Sequence, residues 1–377
     1  MSDTTTYEER LKGFDWASAE RELGWKRGEP INIGWYCSDR ICSLGHGARP
    51  ALLWEGSAGE ERRYTYDDLR VLSNTIAAYL QRLGIQPGER VCLFLDRVPE
   101  LYIGFLGILK MGGIAQPLFS AFGDESLHTR LENAQTTAIV TQRKHVAKVR
   151  KIRDSLPALR RIIVVDAGDG PPLQAREVPL ALDQEPRVET FVCFPSEAET
   201  PSVLHYTSGT TGQPKGAQHV HSSLVSQYLT SKWVLDLKPD DVYWCNADPG
   251  WVTGTSYGII GPWANGVTQV VLDSGFIAER WYAFLQKHRV TVWYSAPTAI
   301  RLLMREGTEI VRKYDLSALR HLASVGEPLN AEAVLWSKEA FGKPFHDTYW
   351  QTETGCMVIT NFPGMPIKPG SMGKPFP

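Results

Sequence analysis

Residues 202–216 read SVLHYTSGTTGQPKG, an apolar run that leads into a loop of hydroxyl and glycine residues. The run at 202–206 predicts a strand, because short apolar segments bounded by turn residues are typical of buried sheets. In the loop, four hydroxyl side chains and two glycines allow backbone N–H groups to converge on an anion. Lys215 adds a positive charge suited to phosphate. A polar surface loop explains the same composition equally well.

The spacing of this loop excludes the phosphate loop of P-loop NTPases. That pattern requires Lys directly after Gly, followed by Ser or Thr. Here Gln213 and Pro214 separate Gly212 from Lys215, and Gly216 follows. Because proline has no backbone N–H and a fixed φ, the sequence predicts a phosphate loop of different geometry.

Short apolar runs alternate with helix-periodic segments on both sides of the loop. The predicted strands are residues 90–95, 114–118, 137–141, 161–165, 202–206, 242–245, 268–272, 290–294 and 321–324. The predicted helices are residues 67–83, 99–111, 127–132, 222–232, 277–288 and 297–305. This alternation predicts an α/β fold of two packed subdomains, with mostly parallel sheets flanked by helices.

Changes in composition along the chain predict its domain organisation. Residues 1–50 are rich in Trp, Gly and Pro and are expected to form an irregular N-terminal extension that packs on the core. Residues 168–196 are rich in Pro, Gly and Glu and are typical of a connection. We therefore expect a first α/β subdomain at 51–196 and a second one, with the phosphate loop, at 197–377.

The composition excludes several classes of function. The 377 residues include 40 Lys plus Arg and 42 Asp plus Glu, for a formal net charge of -2. No imbalance of charge therefore points to nucleic acid or to an anionic membrane. The N-terminal residues lack the apolar core of a secretory signal, and no apolar run is long enough to span a bilayer. Six scattered cysteines show neither a disulfide framework nor metal-ligand spacing, so a cytoplasmic protein with reduced thiols is expected.

Three further segments accompany the loop. They are residues 247–266, ADPGWVTGTSYGIIGPWANG, residues 324–329, SVGEPL, and residues 348–355, TYWQTETG. The loop and the last two segments, in order and spacing, resemble the motifs of the acyl-adenylate-forming superfamily. Within it, residues 247–266 and 347–355 are most similar to acetyl-CoA synthetases, although Tyr349 stands where that group more usually has Trp. The resemblance covers the chain from about Phe14 to Pro377.

The resemblance implies an ATP-dependent acetate:CoA ligase that forms AMP. In the first half-reaction a carboxylate attacks the α-phosphorus of ATP, which gives an acyl-adenylate and pyrophosphate. In the second, the thiol of CoA displaces AMP and forms a thioester. The implied cofactors are ATP, Mg²⁺ and CoA as co-substrate. The first step has no covalent protein intermediate, so its catalysis is mostly positioning and charge stabilisation.

The resemblance also assigns roles to residues. The residues expected to hold the β- and γ-phosphates are Thr207, Ser208, Gly209, Thr210, Thr211, Gly212 and Lys215. The residues expected to surround the adenine and the rest of the nucleotide are Gly326, Glu327, Pro328, Asp347, Thr348, Tyr349, Trp350 and Gln351. The expected catalytic residues are Thr352, through a hydrogen bond to the α-phosphate, and Glu353, as the ligand of Mg²⁺.

The expected acid pocket is lined, again by resemblance, by Val252, Thr253, Val325 and Trp350. An indole across the floor of the pocket leaves little room for a long acyl chain. Such steric exclusion discriminates more sharply than the ~1–3 kcal/mol that one methylene contributes in an apolar pocket. Acetate is therefore the predicted substrate, followed by propionate. Ala296 is weakly implied in contact with CoA.

Each of these residues also has a purely structural interpretation. Glu353 and Asp347 can cap turns or helices, and Trp350 can be part of a core. His219 and His221 have the spacing of a metal pair on a strand, but without a third ligand nearby a packed or surface pair is favoured. The tryptophans expected in the core around the pocket are Trp233, Trp244, Trp251 and Trp263.

The family pattern continues beyond the final residues GKPFP. A hinge and a small C-terminal domain, with a lysine needed for adenylation, normally follow. The expectation is therefore a chain that is incomplete at its C-terminal end and shows little ATP–pyrophosphate exchange. A non-catalytic ATP-binding fragment and a ligase for another small acid, such as propionate, remain alternatives. The expected partners are small molecules, without nucleic acid or membrane, and the oligomeric state is not predicted.

Overall fold

The computed structural model describes residues 6–168, 170–207 and 213–377. In chain order, its strands are β1 Pro50–Glu55, β2 Glu61–Thr65, β3 Arg90–Phe94, β4 Ile114–Pro117, β5 Ala138–Thr141, β6 Arg161–Val164, β7 Glu177–Pro179, β8 Pro201–Thr207, β9 Lys215–Val220, β10 Val242–Cys245, β11 Thr268–Leu272, β12 Val292–Ser295, β13 His321–Ser324, β14 Phe345–Tyr349, β15 Ile359–Thr360 and β16 Lys374–Pro375. Its α-helices are α1 Tyr7–Gly13, α2 Trp16–Leu23, α3 Ile33–Tyr36, α4 Asp39–Ile41, α5 Tyr66–Arg82, α6 Pro99–Lys110, α7 Asp124–Asn133, α8 Arg143–Ile152, α9 Ser223–Trp233, α10 Val252–Thr255, α11 Gly261–Ala264, α12 Ala278–Lys287, α13 Pro297–Arg305 and α14 Ala331–Phe341. Short π-helical turns lie at Cys42–His46 and Ser256–Ile260, and short 3-10 turns at Arg153–Ser155 and Val311–Lys313.

The first sheet has the strand order β7-β6-β5-β3-β4-β8-β9 among the described residues. Its neighbours run parallel, except that β8 and β9 form an antiparallel pair at one edge. Every residue of β5 is buried, since connecting helices cover both faces of a parallel sheet.

The second sheet has the order β16-β15-β14-β13-β12-β10-β11-β1-β2 in the same described part of the chain. Its central strands, from β14 to β1, run parallel, and antiparallel pairs extend it at both edges. The predicted α/β architecture with mostly parallel sheets is therefore confirmed.

The sheets do not divide the chain at the predicted boundaries. β1 and β2, at the start of the predicted first subdomain, belong to the second sheet, while β8 and β9, at the start of the predicted second subdomain, belong to the first. Pairing between strands depends on long-range contacts, and a change in composition along the chain does not reveal it. The strand that precedes the glycine-rich loop, β8, therefore comes from the first sheet.

Helix α5 shows how local sequence fixes an element. Thr65 caps it and exchanges hydrogen bonds with Asp68 in a capping box, which satisfies two otherwise free N–H groups. Its stripe of Leu69, Leu72, Ile76 and Leu80 is buried, as the helical spacing of these residues predicts.

The N-terminal extension was expected to be irregular, and that expectation is wrong for the described residues 6–50. This segment contains α1 to α4. Thr6 and Glu9 form a capping box at the start of α1, so the Thr-x-x-Glu signature of a helix start was present in the sequence.

The largest core cluster lies between the two sheets. It joins Leu93 of β3 and Leu52 of β1 with Ile76 of α5 and Phe105 of α6. Burial of this shared apolar surface stabilises the packing of the two sheets, by about 25 cal/mol per Å² of apolar area. In the described ranges, no helix combines the length and apolarity that crossing a lipid bilayer requires.

Candidate functional site

A cleft of about 930 Å³ opens where strands of both sheets end. Its walls follow directly after β8 of the first sheet and after β10, β12, β13 and β14 of the second. Ligands of open α/β folds bind outside the carboxyl ends of the parallel strands, where loops diverge. The residues that line the cleft are Thr207, Lys215, Ala247, Asp248, Trp251, Val252, Thr253, Ala296, Val325, Gly326, Glu327, Trp350, Gln351, Thr352 and Glu353.

The structure brings most of the predicted site residues together in this cleft. Those that line it are Thr207, Lys215, Val252, Thr253, Val325, Gly326, Glu327, Trp350, Gln351, Thr352 and Glu353. The predicted loop residues Ser208, Gly209, Thr210, Thr211 and Gly212 lie outside the described residues. Four predicted nucleotide contacts are not part of the cleft wall, namely Pro328, Asp347, Thr348 and Tyr349.

The two ends of the glycine-rich loop are held by an antiparallel pair. Thr207, the last residue of β8, lies opposite Lys215, the first residue of β9. The loop therefore returns into a strand, whereas a P-loop leads into a helix. Lys215 is exposed, so its ammonium group reaches the open part of the cleft.

Thr352 and Glu353 lie at the tip of a tight turn. The backbone N–H of Thr354 donates to the carbonyl of Gln351 at 3.2 Å, and the N–H of Gln351 donates to the Thr354 hydroxyl at 3.1 Å. The turn closes at Gly355, which has a φ of +69°. A Cβ at Gly355 would lie 2.7 Å from the ring of His219, so glycine is required there for both conformation and space.

The carbonyl of Gly355 anchors the turn to the helices behind it. It accepts hydrogen bonds from Ser256 Oγ at 3.0 Å and from Gln227 Nε2 at 3.3 Å. Burial lowers the pKa of His219, while the Thr352 backbone and the Glu353 carboxylate raise it. The neutral ring that burial favours packs under the turn without adding a buried charge.

The two neighbouring histidines, for which a packed or surface pair was the favoured interpretation, make contacts typical of packing. His221 is buried, and its Nδ1 accepts a hydrogen bond from the backbone N–H of Ile33 at 3.1 Å. Among the described residues, no group of three or more His, Cys, Asp or Glu side chains could hold a metal ion. The packed-pair interpretation is the one that these contacts favour.

The turn after β13 forms the opposite wall. Gly326 has a φ of +104°, a conformation that side chains other than glycine rarely adopt. The carboxylate of Glu327 accepts hydrogen bonds from Thr298 and Arg301 of α13, which lowers its pKa. These bonds fix the turn on the start of that helix.

Asp347 was expected to contact the nucleotide, but it is buried behind this turn. Its carboxylate accepts hydrogen bonds from the backbone N–H of Leu329 and from its own neighbour Thr348, at 3.0 and 3.1 Å. Burial raises its pKa to about 6. Asp347 thus supports the wall of the cleft without reaching its surface.

Val252, Thr253, Val325 and Trp350 all line the cleft, and the two buried ones, Val325 and Trp350, mark the part that we call its enclosed end. Trp350 is 8% exposed. Its indole Nε1 donates to the hydroxyl of Tyr294 at 3.2 Å, and the ring of Tyr257 packs edge-on against it at 5.1 Å. These two contacts hold the buried indole in a fixed orientation in the cleft wall.

Several lining residues follow β10 and were missed or misjudged. Trp251 was expected in the core, but it is 46% exposed and packs against Phe119 at the cleft mouth. Asp248 also lines the cleft, and burial raises its pKa. The signal was available, since these residues come directly after a predicted strand of a parallel sheet. Ala296, which follows β12, likewise lines the cleft.

The donor set of the cleft fits a magnesium ion bound with phosphates. Glu353 is exposed in the cleft wall, and within the described chain it makes neither a hydrogen bond nor an ion pair. Mg²⁺ is usually held by one or two carboxylates together with substrate phosphates and water, and not by a cage of protein groups. A single free carboxylate beside the hydroxyl of Thr352 meets that requirement.

Comparison with known proteins places this cleft in context. The profile of the family described as AMP-binding enzyme matches residues 43–377. The chain is 44% identical to the acetyl-coenzyme A synthetase of Bacillus subtilis over 381 residues, and 38% identical to that of Deinococcus radiodurans over 383. These matches cover 98% and 96% of this chain but 64% and 59% of the two relatives.

A solved structure gives the same result for the fold. The crystal structure of the acyl-CoA synthetase from Brucella canis matches with a TM-score of 0.89 at 30% identity. The match covers 98% of this chain and 66% of that one. The chain thus spans about two thirds or less of the length of the proteins that it resembles.

Proposed function

The chain belongs to the AMP-binding enzyme family, and from that premise we propose that its cleft joins ATP and a short-chain carboxylate as an acyl-adenylate. The proposed activity of the whole protein is that of an ATP-dependent acetate:CoA ligase that releases AMP. The observation that carries the proposal is the cleft itself. Lys215 and the hydroxyl-bearing Thr352 line it together with the buried Val325 and Trp350.

The proposed chemistry needs positioned charges and no protein nucleophile. An oxygen of the acid attacks the α-phosphorus, and the bond from that phosphorus to the β-bridging oxygen breaks as pyrophosphate leaves. The ammonium group of Lys215 would neutralise charge on the β- and γ-phosphates, and the hydroxyl of Thr207 would donate a hydrogen bond to them. The Thr352 hydroxyl would donate to the α-phosphate, where charge develops. In the second step the sulfur of CoA attacks the acyl carbon, and AMP leaves with the bonding electrons.

Nucleotide binding is assigned to the remaining wall. Gly326 and Glu327 would border the adenine, with exposed Tyr349 and Pro328 beside the cleft as further contacts. Glu353 is the proposed ligand of Mg²⁺, which when bound neutralises phosphate charge. Ala296, in the cleft wall, is the proposed neighbour of CoA.

The enclosed end supports acetate as the preferred acid. The buried indole of Trp350 lines the cleft together with Val325, Val252 and Thr253, and in the proposed arrangement it would leave room only for a short acyl chain. The names of the two relatives, both acetyl-coenzyme A synthetases, support the same choice. A cytoplasmic location remains a prediction from the cysteine usage of the sequence.

Calorimetric titration of the 377-residue chain with ATP, with and without Mg²⁺, tests the site. We expect Mg²⁺ to lower the Kd for ATP. In Glu353→Gln this Mg²⁺-dependent gain in affinity should be about tenfold smaller, because the metal loses a charged ligand. The matched control is Glu339→Gln, an exposed glutamate on α14, which should leave the gain unchanged. The proposal would be contradicted if the chain bound neither ATP nor an acetyl-adenylate analogue.

Acetate-dependent ATP–pyrophosphate exchange separates adenylation from binding alone. The same assay with acetate, propionate and butyrate ranks the acids. Exchange above background with acetate supports a working adenylation site. Binding of ATP without exchange, by this chain and by its longer parent if one exists, would favour the non-catalytic alternative.

A further inference from the structure

Four buried polar groups form one hydrogen-bonded chain behind the enclosed end of the cleft. Trp350 Nε1 lies 3.2 Å from Tyr294 Oη, which lies 2.8 Å from Thr348 Oγ1. Thr348 Oγ1 lies 2.7 Å from the carbonyl oxygen of Ser324. All four residues are at most 8% exposed, so each group depends on the next for its partner.

The direction of this chain is fixed by its two ends. The Ser324 carbonyl can only accept, so Thr348 uses its single hydroxyl hydrogen there and must accept from Tyr294. Tyr294 therefore gives its hydrogen to Thr348 and accepts from the indole N–H of Trp350, which can only donate. Every hydroxyl donates once and accepts once, and such chains strengthen along their length.

The sheet explains how the chain of hydroxyls crosses three strands. Tyr294 on β12 lies beside Ala323 on β13, and Ala323 lies beside His346 on β14. Thr348 is two residues after His346 and therefore faces the same side of the sheet. The small side chain of Ala323 leaves room for the phenol of Tyr294 to reach across β13 to Thr348.

Both ends of this series of hydrogen bonds adjoin walls of the proposed acid pocket. One end holds the indole of Trp350, and the other holds the carbonyl of Ser324, directly before Val325. Trp350, Val325 and Tyr294 belong to the same apolar cluster. The hydroxyls of Tyr294 and Thr348 thus tie two pocket walls together, although neither residue lines the cleft.

A second hydroxyl chain nearby provides a matched comparison. The backbone N–H of Met357 donates to Tyr257 Oη at 2.8 Å, which bonds Thr230 Oγ1 at 2.8 Å, and Thr230 donates to the Ser226 carbonyl. The ring of Tyr257 also packs against Trp350. Its hydroxyl, however, bonds Thr230 of α9 and the backbone of Met357, and neither bond reaches the indole N–H of Trp350 or the carbonyl of Ser324.

We propose that Tyr294 and Thr348 are positioning residues that set which acids the cleft accepts, by fixing the indole of Trp350 against Val325. This inference rests on the proposed function and adds to it the source of the size limit. Without the Tyr294 hydroxyl, the buried indole N–H loses the acceptor that holds it, and turning toward the cleft would give it a new acceptor in water. The indole would then no longer be held in one orientation, and the pocket would admit longer acyl chains.

The test measures binding of three stable adenylate analogues by calorimetry. They are the acetyl, propionyl and butyryl derivatives of 5′-O-sulfamoyladenosine, and the ratio of the butyryl to the acetyl Kd reports the size limit. We expect the ratio to fall about tenfold in Tyr294→Phe, since a hydrophobic pocket discriminates by 10- to 200-fold per methylene. Thr348→Val, which leaves the indole bond intact, should lower the ratio less.

Tyr257→Phe is the control, because it also removes one buried hydroxyl from a ring that touches Trp350. Its ratio should stay within about twofold of the unaltered chain. If the ratio of butyryl to acetyl Kd is the same in the unaltered chain, Tyr294→Phe and Thr348→Val, the inference is wrong while the proposed function stands. The same holds if the ratio falls as much in Tyr257→Phe as in Tyr294→Phe. If the unaltered chain binds none of the three analogues, the proposed function fails and the inference with it. If Tyr294→Phe does not fold, the Kd ratio of Thr348→Val tests the inference in its place.

Discussion

The two ends of the cleft are built in opposite ways. At the proposed phosphate end, Lys215 and Glu353 are exposed side chains, the first at the start of β9 and the second at the tip of a tight turn. At the proposed acid end, Trp350 and Val325 are buried, and hydrogen bonds through Tyr294 and Thr348 hold them from behind. Attraction of a charged group needs only an exposed charge that can reach it. Recognition of size needs a wall that cannot move, and a buried hydrogen-bonded core provides one.

This difference predicts how substitutions at the two ends behave. Changes at the acid end should alter both folding stability and the choice of acid. Changes at the phosphate end should alter ligand affinity and leave stability nearly unchanged, since exposed positions contribute little to folding.

The largest effect is expected for Trp350→Gly. Loss of the buried indole should lower the free energy of unfolding by about 3–5 kcal/mol and open the enclosed end to longer acids. Urea unfolding measures the first effect, and the ratio of butyryl to acetyl analogue Kd measures the second. Trp251→Gly is the control, because that indole is half exposed at the cleft mouth and should cost far less. If the ratio does not move toward longer acids, the assignment of Trp350 is wrong.

A smaller effect is expected from Asp347, which supports the cleft wall from behind. Burial raises its pKa to about 6 from an ordinary value of 3.8. Between pH 4 and 6 the unfolded chain has released a proton that the folded chain keeps, so the free energy of unfolding falls as pH rises through this window. The shift corresponds to about 3 kcal/mol.

Asp347→Asn cannot titrate and should show a flatter stability curve in this window. Its amide oxygen can still accept from the backbone N–H of Leu329. Urea unfolding at several values between pH 4 and 6 compares the two proteins. Asp183→Asn, at an exposed position, should keep the original slope. A slope that survives in Asp347→Asn would assign the pH dependence to another group.

The same contrast explains which site residues could be predicted from the sequence and which could not. Thr207 and Trp350 were assigned to the site by the resemblance of their motifs to the family, and both line the cleft. Asp347 and Thr348 were expected to face the nucleotide, but they are buried and bond inward. Nothing local distinguishes a motif residue that touches ligand from one that supports the wall.

Long-range contacts account for the remaining differences. The bond between Tyr294 and Trp350 joins residues 56 positions apart, and the pairing of β8 with β4 in the first sheet depends on which strands meet in space. Neither can be read from spacing or composition. The side chain of Trp251 was misplaced for the same reason, because its exposure depends on Phe119 and the neighbouring loop.

The smallest effect on the fold, and a selective effect on binding, is expected for Lys215→Ala. The side chain is exposed, so its loss should change the free energy of unfolding by less than about 0.5 kcal/mol. The affinity for ATP should fall about tenfold, or about 1.4 kcal/mol, because the ammonium group would bond a charged phosphate. The affinity for AMP, which lacks the β- and γ-phosphates, should stay the same, as should both affinities in the exposed control Lys338→Ala. Calorimetry with the two nucleotides separates these cases. Equal losses of affinity for ATP and AMP would show that Lys215 does not bind the β- and γ-phosphates. The distinction between an exposed phosphate end and a buried acid end would then fail.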